Sequence, residues 1–390
     1  MLAGFLSPPS SSAPCAPSTN ADGIMSEWRK DPFSDRWVIL AQHRATRPYD
    51  FEWEVKRRPD AVCPFCVGQE HQTPAPVLVL RDPTANDILP WHVRVVPNRY
   101  PAVNGETTSS RQPGQIPATG IHAAGVEGIG AALPCPFVNG HMIGHHDVLI
   151  ESPDHHASFA GLPRNRLELC FEAVRQRFCG YRSEGRFRYG LMFKNVGPLA
   201  GASLEHPHSQ LISLAEVPLE LARQIELIQE WDQQTGRCLG CDVLSAEQRE
   251  AKRILGGTKH FLAYCPYASR FPYEVRIMHR LHHHAFENAE PGEIRELSEC
   301  VQRVLKMLTS VLGSFSYNLI LHIAPFDTNT TKHYHWYVEI FPRLTMTAGF
   351  EWGSGYFLNT MAPENAAASL RNGPGFEIHE SRDFSVWKNW

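Results

Sequence analysis

Apolar and polar residues alternate in nine short segments spread along the chain. Because successive side chains of a strand point to opposite faces, this alternation predicts half-buried antiparallel strands. The predicted strands are 36–41, 92–97, 146–152, 188–195, 208–214, 260–266, 273–279, 317–323 and 335–341. The pattern therefore favours a fold built largely on antiparallel sheets.

Two long segments, 163–178 and 291–312, have apolar residues at helical spacing and are predicted to be helices. Apolar residues recur there every three or four positions, and each segment opens on a proline, a frequent first residue of helices. The segment 216–236 is a third predicted helix. Gly, Pro, Ser and Ala dominate 105–139, which predicts a long loop. Residues 1–24 are biased to Ser, Pro and Ala, and we predict a disordered tail outside the fold.

The order of these features repeats along the chain. Each half has a C-x-x-C pair, a strand that ends in histidines, a long helix, a further strand and a strand that opens on histidine. A repeat of this length indicates a duplicated domain and not a solenoid. We therefore predict an α+β fold of two tandem domains, 25–215 and 216–390, each with an antiparallel sheet flanked by helices.

Composition removes several classes of protein. The 390 residues carry a net charge of −4, which gives no basic face for general nucleic-acid binding. No apolar run approaches the ~20 residues of a membrane helix, so no membrane partner is expected. Four of the ten cysteines form two C-x-x-C pairs, which in a large chain indicate metal binding more often than a disulfide framework. We expect the cytoplasm as the location.

Two sets of four metal-type ligands can be assembled from matching positions in the two halves. The sets are Cys63, Cys66, His155 and His206, and Cys238, Cys241, His282 and His335. Cys₂His₂ is a typical ligand set of structural zinc, so two zinc ions per chain are expected. Free thiols with surface histidines are the alternative for either pair alone. His283 and His284 also stand beside His282 and could replace it.

Six segments of the sequence resemble one known family. They are RKDPFSDRWVILAQHRATRP, CPFCVGQE, VVPNRYPA, HDVLIESPDHH, FKNVGPLAGASLEHPHSQ and AGFEWGSGYFLN, and they occur in order between about residues 28 and 371. The most specific is N-x-G-x-x-x-G-x-S-x-x-H-P-H-x-Q. The chain resembles the galactose-1-phosphate uridylyltransferases of the histidine-triad superfamily, including their ADP-glucose phosphorylase branch.

The resemblance implies a role for each matched residue. His208 corresponds to the family's nucleophile, which carries the nucleoside monophosphate, and His206 corresponds to a zinc ligand beside it. Matches to residues that contact the phosphate, the nucleotide sugar or the hexose are Arg44, Arg47, Asn98, Asn195, Ser203, Gln210 and Glu351. The implied partners are a nucleotide sugar, a sugar 1-phosphate or phosphate, and a second copy of the chain in a homodimer.

The chemistry of the H-P-H motif agrees with these roles. A neutral imidazole is a good nucleophile toward phosphorus near pH 7. A metal on His206 would fix the turn, and Pro207 would stiffen the backbone between the two rings. The alternative is a pure metal clamp in which both rings bind the ion. A bound metal would occupy the lone pair that the nucleophile needs.

Three functions follow as hypotheses, and the overall family resemblance gives the first of them precedence. The first is uridylyl transfer between UDP-glucose and a hexose 1-phosphate by a ping-pong route through uridylyl-His208. The second is an adenylyl enzyme that passes AMP from ADP-glucose to phosphate, a branch that the C-terminal GFEWGSGYFLN resembles. The third is a non-catalytic, zinc-stabilised nucleotide-binding module. The intact H-P-H-x-Q argues against the third.

Overall fold

The computed structural model of the chain describes residues 26–46, 63–103, 142–326 and 333–373. The predicted tail 1–24 and the predicted loop 105–139 lie outside the described residues. No helix among those described combines the length and the apolar character that a membrane span requires.

Within these ranges the chain forms thirteen strands and six α-helices. The strands are β1 (Glu27–Lys30), β2 (Trp37–Leu40), β3 (Leu78–Leu80), β4 (Val93–Pro97), β5 (His146–Ile150), β6 (Tyr189–Val196), β7 (His208–Leu214), β8 (Ile254–Gly257), β9 (Phe261–Tyr264), β10 (Val275–His279), β11 (Tyr317–His322), β12 (Tyr337–Pro342) and β13 (Phe357–Asn359). The helices are α1 (Arg164–Ser183), α2 (Leu219–Thr235), α3 (Leu239–Glu250), α4 (Pro291–Leu312), α5 (Gly349–Ser354) and α6 (Pro363–Arg371). Each of the nine predicted strands overlaps one of these strands, and α1, α2 and α4 lie at the three predicted helices.

Ten strands form one antiparallel sheet in the order β3-β4-β5-β7-β6-β11-β12-β10-β9-β8. From its outer edge inward, the first half has the order β3-β4-β5-β7-β6 and the second half has the order β8-β9-β10-β12-β11. The two halves therefore have the same strand order, in which the last two strands along the chain have exchanged places. α1 connects β5 to β6 as α4 connects β10 to β11. β6 and β11 pair at the centre, where Asn195 lies opposite Asn318. The sheet confirms the predicted α+β fold of two duplicated halves.

The long helices α1 and α4 pack on one face of this sheet. They bury the apolar residues that recur every three or four positions in their sequences. Leu297, Val301 and Leu308 of α4 are fully buried, and so are Leu167 and Phe171 of α1. All five belong to the main apolar core. Burial of a side chain of this size stabilises the fold by about 1.5–3 kcal/mol, so the packing of the two helices on the sheet contributes strongly to stability.

A second, three-stranded sheet consists of β1, β2 and β13. β2 pairs with β13 in parallel, and Val38 and Leu40 pack against Ala268 of the second half. The Asn359 side-chain amide also donates to the Ser269 carbonyl over 2.8 Å. Residues near the start of the chain thus pack on the second half. The domain boundary at residue 215 stays a prediction.

Candidate active site and metal clusters

The first predicted ligand set comes together at the ends of two paired strands. His155 follows β5 and His206 precedes β7, and these strands pair with Ile150 opposite His208. The Cys66 Sγ lies 3.4 Å from His155 Nδ1 and 3.7 Å from His206 Nδ1. With Cys63, the four ligand atoms all lie within 4.8 Å of one another. We call this group the first cluster.

The donor chemistry of the first cluster fits a zinc-type ion. The His206 Nε2 donates to the Ser152 carbonyl over 2.8 Å, so the lone pair of Nδ1 faces the thiols. Burial lowers the pKa of His206 to about 4, which keeps the ring neutral. Burial and the neighbouring Cys63 raise the pKa of the Cys66 thiol, and a bound cation reverses such a shift by favouring the thiolate. Two thiols and two neutral imidazoles make a Cys₂His₂ set.

The second predicted set also converges, through the other nitrogen of each imidazole. The His335 Nε2 lies 3.3 Å from Cys238 Sγ and 3.6 Å from Cys241 Sγ, and the His282 Nε2 lies 2.9 Å from Cys241 Sγ. The His335 Nδ1 donates to the His279 carbonyl over 2.7 Å. Cys238, Cys241, His282 and His335 form the second cluster.

The sequence around the second cluster suits this geometry. A Cβ at Gly240 would lie 2.6 Å from the His335 ring, so the C-L-G-C pair needs glycine for the ring to approach. Of the three consecutive histidines, His282 belongs to the cluster, whereas His283 and His284 do not. The structure thus brings His282 to the two thiols, the histidine that the matching positions of the two halves had indicated.

We predict two thiolate-bound metal ions per chain. Cys63→Ser is expected to remove one of them and to lower the melting temperature, because a structural metal contributes folding free energy. Metal analysis of protein purified without chelator, with calorimetry, measures both effects. Cys179→Ser is the matched control, because Cys179 lies outside both clusters. Equal metal content in Cys63→Ser and Cys179→Ser would contradict the first cluster as a metal site.

His208 lies beside the first cluster and outside it. Its Nδ1 is 2.8 Å from the His206 carbonyl and donates to it, so the lone pair stays on Nε2. Burial, with the nearby Lys194 ammonium, lowers the pKa of His208, which favours the neutral ring. The Phe65 ring packs edge-on against both His206 and His208, with centroids 5.9 and 5.5 Å away. The geometry therefore leaves one imidazole nitrogen of His208 available as a nucleophile.

A buried ionic network lies beneath His208, and the sequence analysis did not find it. The Lys194 Nζ donates to Glu151 Oε2 over 2.6 Å and to the His208 carbonyl over 3.1 Å. The Ser209 hydroxyl donates to the other oxygen of Glu151. The Lys194 and Glu151 side chains are only 2% and 0% exposed, so water does not screen the pair. The signal in the sequence was a lysine two residues after Met192, on the inward face of β6.

Three more of the predicted residues lie on β6, β7 and the end of β4. His146, a residue that the sequence analysis missed, joins two of them: its Nε2 lies 2.8 Å from Gln210 Oε1 and 3.1 Å from Asn98 Nδ2. The Asn195 Oδ1 accepts from the Asn318 amide over 2.7 Å. Because Phe193 pairs with Gln210, the β6–β7 register sets Asn195 next to His208 on the neighbouring strand.

The remaining predicted residues are more scattered. Ser203 is exposed in the loop before His206. Arg44 is exposed in a short 3-10 helix after β2, and the Glu351 carboxylate accepts from the Ala348 amide at the start of α5. Both belong to the region around the three-stranded sheet, and within the described ranges neither hydrogen-bonds His208. Arg47 lies outside the described residues.

The second half carries different side chains at the positions of His208 and Gln210. Met278 pairs with Tyr337 on β10–β12 as Ile150 pairs with His208 on β5–β7. Two residues further along β12, Glu339 is held by two arginine side chains, those of Arg270 and Arg276, over 2.9 and 2.7 Å. The second half therefore has a phenol and an ion pair where the first half has an imidazole and an amide.

Comparisons with known proteins agree with this fold. A profile described as "Galactose-1-phosphate uridyl transferase, N-terminal domain" matches residues 17–218, and a "Domain of unknown function (DUF4921)" matches residues 142–373. The first match covers more than half of the chain. The chain belongs to the galactose-1-phosphate uridyl transferase family, and it is a nucleotidyltransferase-type enzyme.

Individual relatives fall into two groups. An ADP-glucose phosphorylase of Arabidopsis thaliana is 29% identical over 88% of this chain and 92% of its own length. A galactose-1-phosphate uridylyltransferase of Thermotoga maritima is 28% identical over 89% and 98%. The crystal structure of an Arabidopsis thaliana ADP-glucose phosphorylase with bound ADP-glucose superposes with a TM-score of 0.72 at 26% identity, covering 89% of this chain and 98% of its own. A uridylyltransferase structure superposes with a TM-score of 0.62 at 27% identity, covering 89% and 97%.

Proposed function

We propose that the enzyme transfers a nucleoside monophosphate from a nucleotide sugar to a phosphate-bearing acceptor through His208. The observation that carries this proposal is the hydrogen bond from His208 Nδ1 to the His206 carbonyl, which leaves the Nε2 lone pair free. A neutral imidazole held in one tautomer is suited to in-line attack on phosphorus. His206 is the neighbour whose Nδ1 faces the thiols of the first cluster.

The reaction runs as two displacements. In the first, the lone pair of His208 Nε2 attacks the phosphorus next to the nucleoside, and the sugar 1-phosphate leaves with the electrons of the broken P–O bond. In the second, an acceptor phosphate oxygen attacks the same phosphorus and His208 leaves as neutral imidazole. Transfer of this kind depends mainly on positioning and charge stabilisation. A metal in the first cluster would supply rigidity, because it would hold His206 and thus the carbonyl that orients His208.

The chain's own side chains position the reacting ring. Lys194 holds the His208 carbonyl from one face of the sheet, and Phe65 packs on the ring. Gln210 follows on the same face of β7, with its side-chain oxygen fixed by His146. An amide so fixed keeps its N–H groups for a phosphate oxygen, which supports the role that the family resemblance implies for Gln210.

ADP-glucose is the donor that we give precedence, with phosphate as the acceptor. The supporting observation is the TM-score of 0.72 to the ADP-glucose phosphorylase with bound ADP-glucose, against 0.62 to the uridylyltransferase structure. UDP-glucose with a hexose 1-phosphate, the first of the three sequence-based hypotheses, is the second candidate. It is supported by the Thermotoga maritima relative, which is matched over 98% of its length.

Comparing kcat/KM for the two donors decides between these candidates. We expect the adenine donor to be preferred by at least about tenfold, the effect of about 1.4 kcal/mol in transition-state binding. The acceptor in each assay is supplied in excess, as phosphate in one series and galactose 1-phosphate in the other. A preference for UDP-glucose with galactose 1-phosphate would return the enzyme to uridylyl transfer, and turnover of neither donor would overturn the proposal.

A further inference from the structure

A third group of metal-type side chains lies next to the second cluster. It consists of His279, His283 and Glu293, whose ligand atoms lie within 4.8 Å of one another. The His279 Nε2 is 2.9 Å and the His283 Nδ1 is 3.6 Å from the same oxygen, Oε1 of Glu293. No cysteine takes part, and the group is separate from the surroundings of His208.

An ordinary hydrogen bond explains only part of this group. The Leu281 amide lies 3.1 Å from His279 Nδ1, which suits the tautomer that donates from Nε2 to Glu293. The His283 Nδ1 is too far from the carboxylate for a good hydrogen bond, yet it points at the oxygen that His279 already reaches. Two imidazole nitrogens that converge on one carboxylate oxygen are the arrangement that a shared cation would hold together.

Backbone groups orient two of the three ligands. The Leu281 carbonyl also lies 3.1 Å from His279 Nδ1 and can accept from it in the other tautomer, the one with its lone pair on Nε2 that an ion would require. The second oxygen of Glu293 accepts from the Glu290 amide over 2.8 Å in the capping box of α4, which leaves Oε1 facing the imidazoles. Outer hydrogen bonds of this kind are typical of histidines and carboxylates that bind metals.

The spacing and burial also suit a small ion. Zinc–ligand bonds of 2.0–2.2 Å in a tetrahedron require ligand atoms about 3.3 Å apart. The separations of 2.9 and 3.6 Å bracket that value. The His279 side chain is 1% exposed, whereas the His283 side chain is 21% exposed, so an ion has an approach from the His283 side.

We propose that His279, His283 and Glu293 bind one divalent first-row transition-metal ion of the Zn²⁺ type, with water in the remaining position. Imidazole and carboxylate are borderline-to-hard ligands that such ions accept without thiolate. The ion would join the end of β10 to the first turn of α4 and to the residue that follows His282. This site does not depend on the proposed nucleotidyl transfer.

Zn²⁺ titration of the purified protein tests the proposal. After equilibrium dialysis against ZnCl₂, the wild type is expected to bind one equivalent more than Glu293→Gln and one more than His283→Gln. Glutamine keeps an oxygen for the Glu290 amide, and His283 is partly exposed, so both variants are suited to fold. Glu296→Gln is the matched control, because Glu296 binds the single imidazole of His260 and is expected to leave the metal content unchanged.

Co²⁺ substitution separates this ion from those of the cysteine clusters. Thiolate-to-cobalt charge-transfer absorption is expected to be the same in wild type, Glu293→Gln and His283→Gln, because the lost ion has no sulfur ligand. The proposal is overturned if wild type and both variants bind the same number of equivalents. It is also overturned if the lost equivalent takes thiolate absorption with it, which would assign the loss to the second cluster.

Discussion

His208→Asn is expected to lower nucleotidyl transfer by at least about 10³-fold, the scale seen when a covalent nucleophile is removed. Asparagine cannot carry the nucleotidyl group between the two displacements. Wild-type enzyme mixed with donor and no acceptor should therefore form an adduct on the peptide that contains SLEHPHSQ, and the variant should form none. A phosphorus–nitrogen bond to histidine should be labile to acid and stable to base, which distinguishes it from an ester at Ser203.

Two comparisons make this result specific. Metal content should stay at the wild-type value in His208→Asn, because the first cluster contains His206 and not His208. Tyr337→Phe is the matched variant at the equivalent position of the second half, and it should keep transfer activity and adduct formation. An adduct on another residue, or full transfer by His208→Asn, would show that the mechanism is wrong.

Lys194→Met is expected to lower the free energy of unfolding by about 3–5 kcal/mol, because it leaves the buried Glu151 carboxylate without its partner. The same change removes the donor to the His208 carbonyl, so kcat should fall in the folded fraction as well. Urea unfolding measures the stability and single-turnover kinetics measure the chemical step. Lys306→Met, at an exposed position of α4, is the surface control and should change the free energy of unfolding by less than about 0.5 kcal/mol.

The paired variant Lys194→Met with Glu151→Gln tests the cause. If the loss comes from an unpaired buried charge, neutralising Glu151 should recover part of the lost free energy, so the two changes should not be additive. Additive losses, or a loss in Lys194→Met as small as in Lys306→Met, would contradict the buried ion pair as the source of the effect.

The sequence predicted the elements in which a regular pattern of apolar and polar residues extends over enough positions to be recognised. β5, β6, β7, β10, β11 and β12 have five to eight residues each, and the stripes of α1 and α4 extend over several turns. The four missed strands have only three or four residues each, and neither EWRK of β1 nor ILGG of β8 shows a clear alternation of apolar and polar residues. α3 was missed because it begins within the C-L-G-C pair, whose spacing was interpreted as metal chemistry alone.

Some parts of the candidate site could also be predicted from the sequence, and others could not. Both cysteine clusters could be predicted, because duplication supplied the same four positions twice. The contact of Lys194 with Glu151 spans 43 positions and depends on the pairing of three strands, which no local pattern contains. The roles of Arg44 and Glu351 were implied by the family resemblance, and the described structure places both around the three-stranded sheet. Which ring nitrogen faces the thiols also differs between the clusters, and the sequence holds no sign of it.

The central pairing of β6 with β11 has a consequence for how such a chain can diversify. Either half alone would end in an open strand edge with free N–H and C=O groups, and its best complement would be the same edge of another copy. When both halves belong to one polypeptide, each half instead has the other half as its partner, at a high effective concentration that does not depend on the protein concentration. Because the two sides of the junction are then encoded separately, one side can keep an imidazole at position 208 while the other side accumulates a tyrosine, an ion pair and a histidine-rich loop. A symmetric pair of identical subunits could never make that division of labour, since every change would appear on both sides at once.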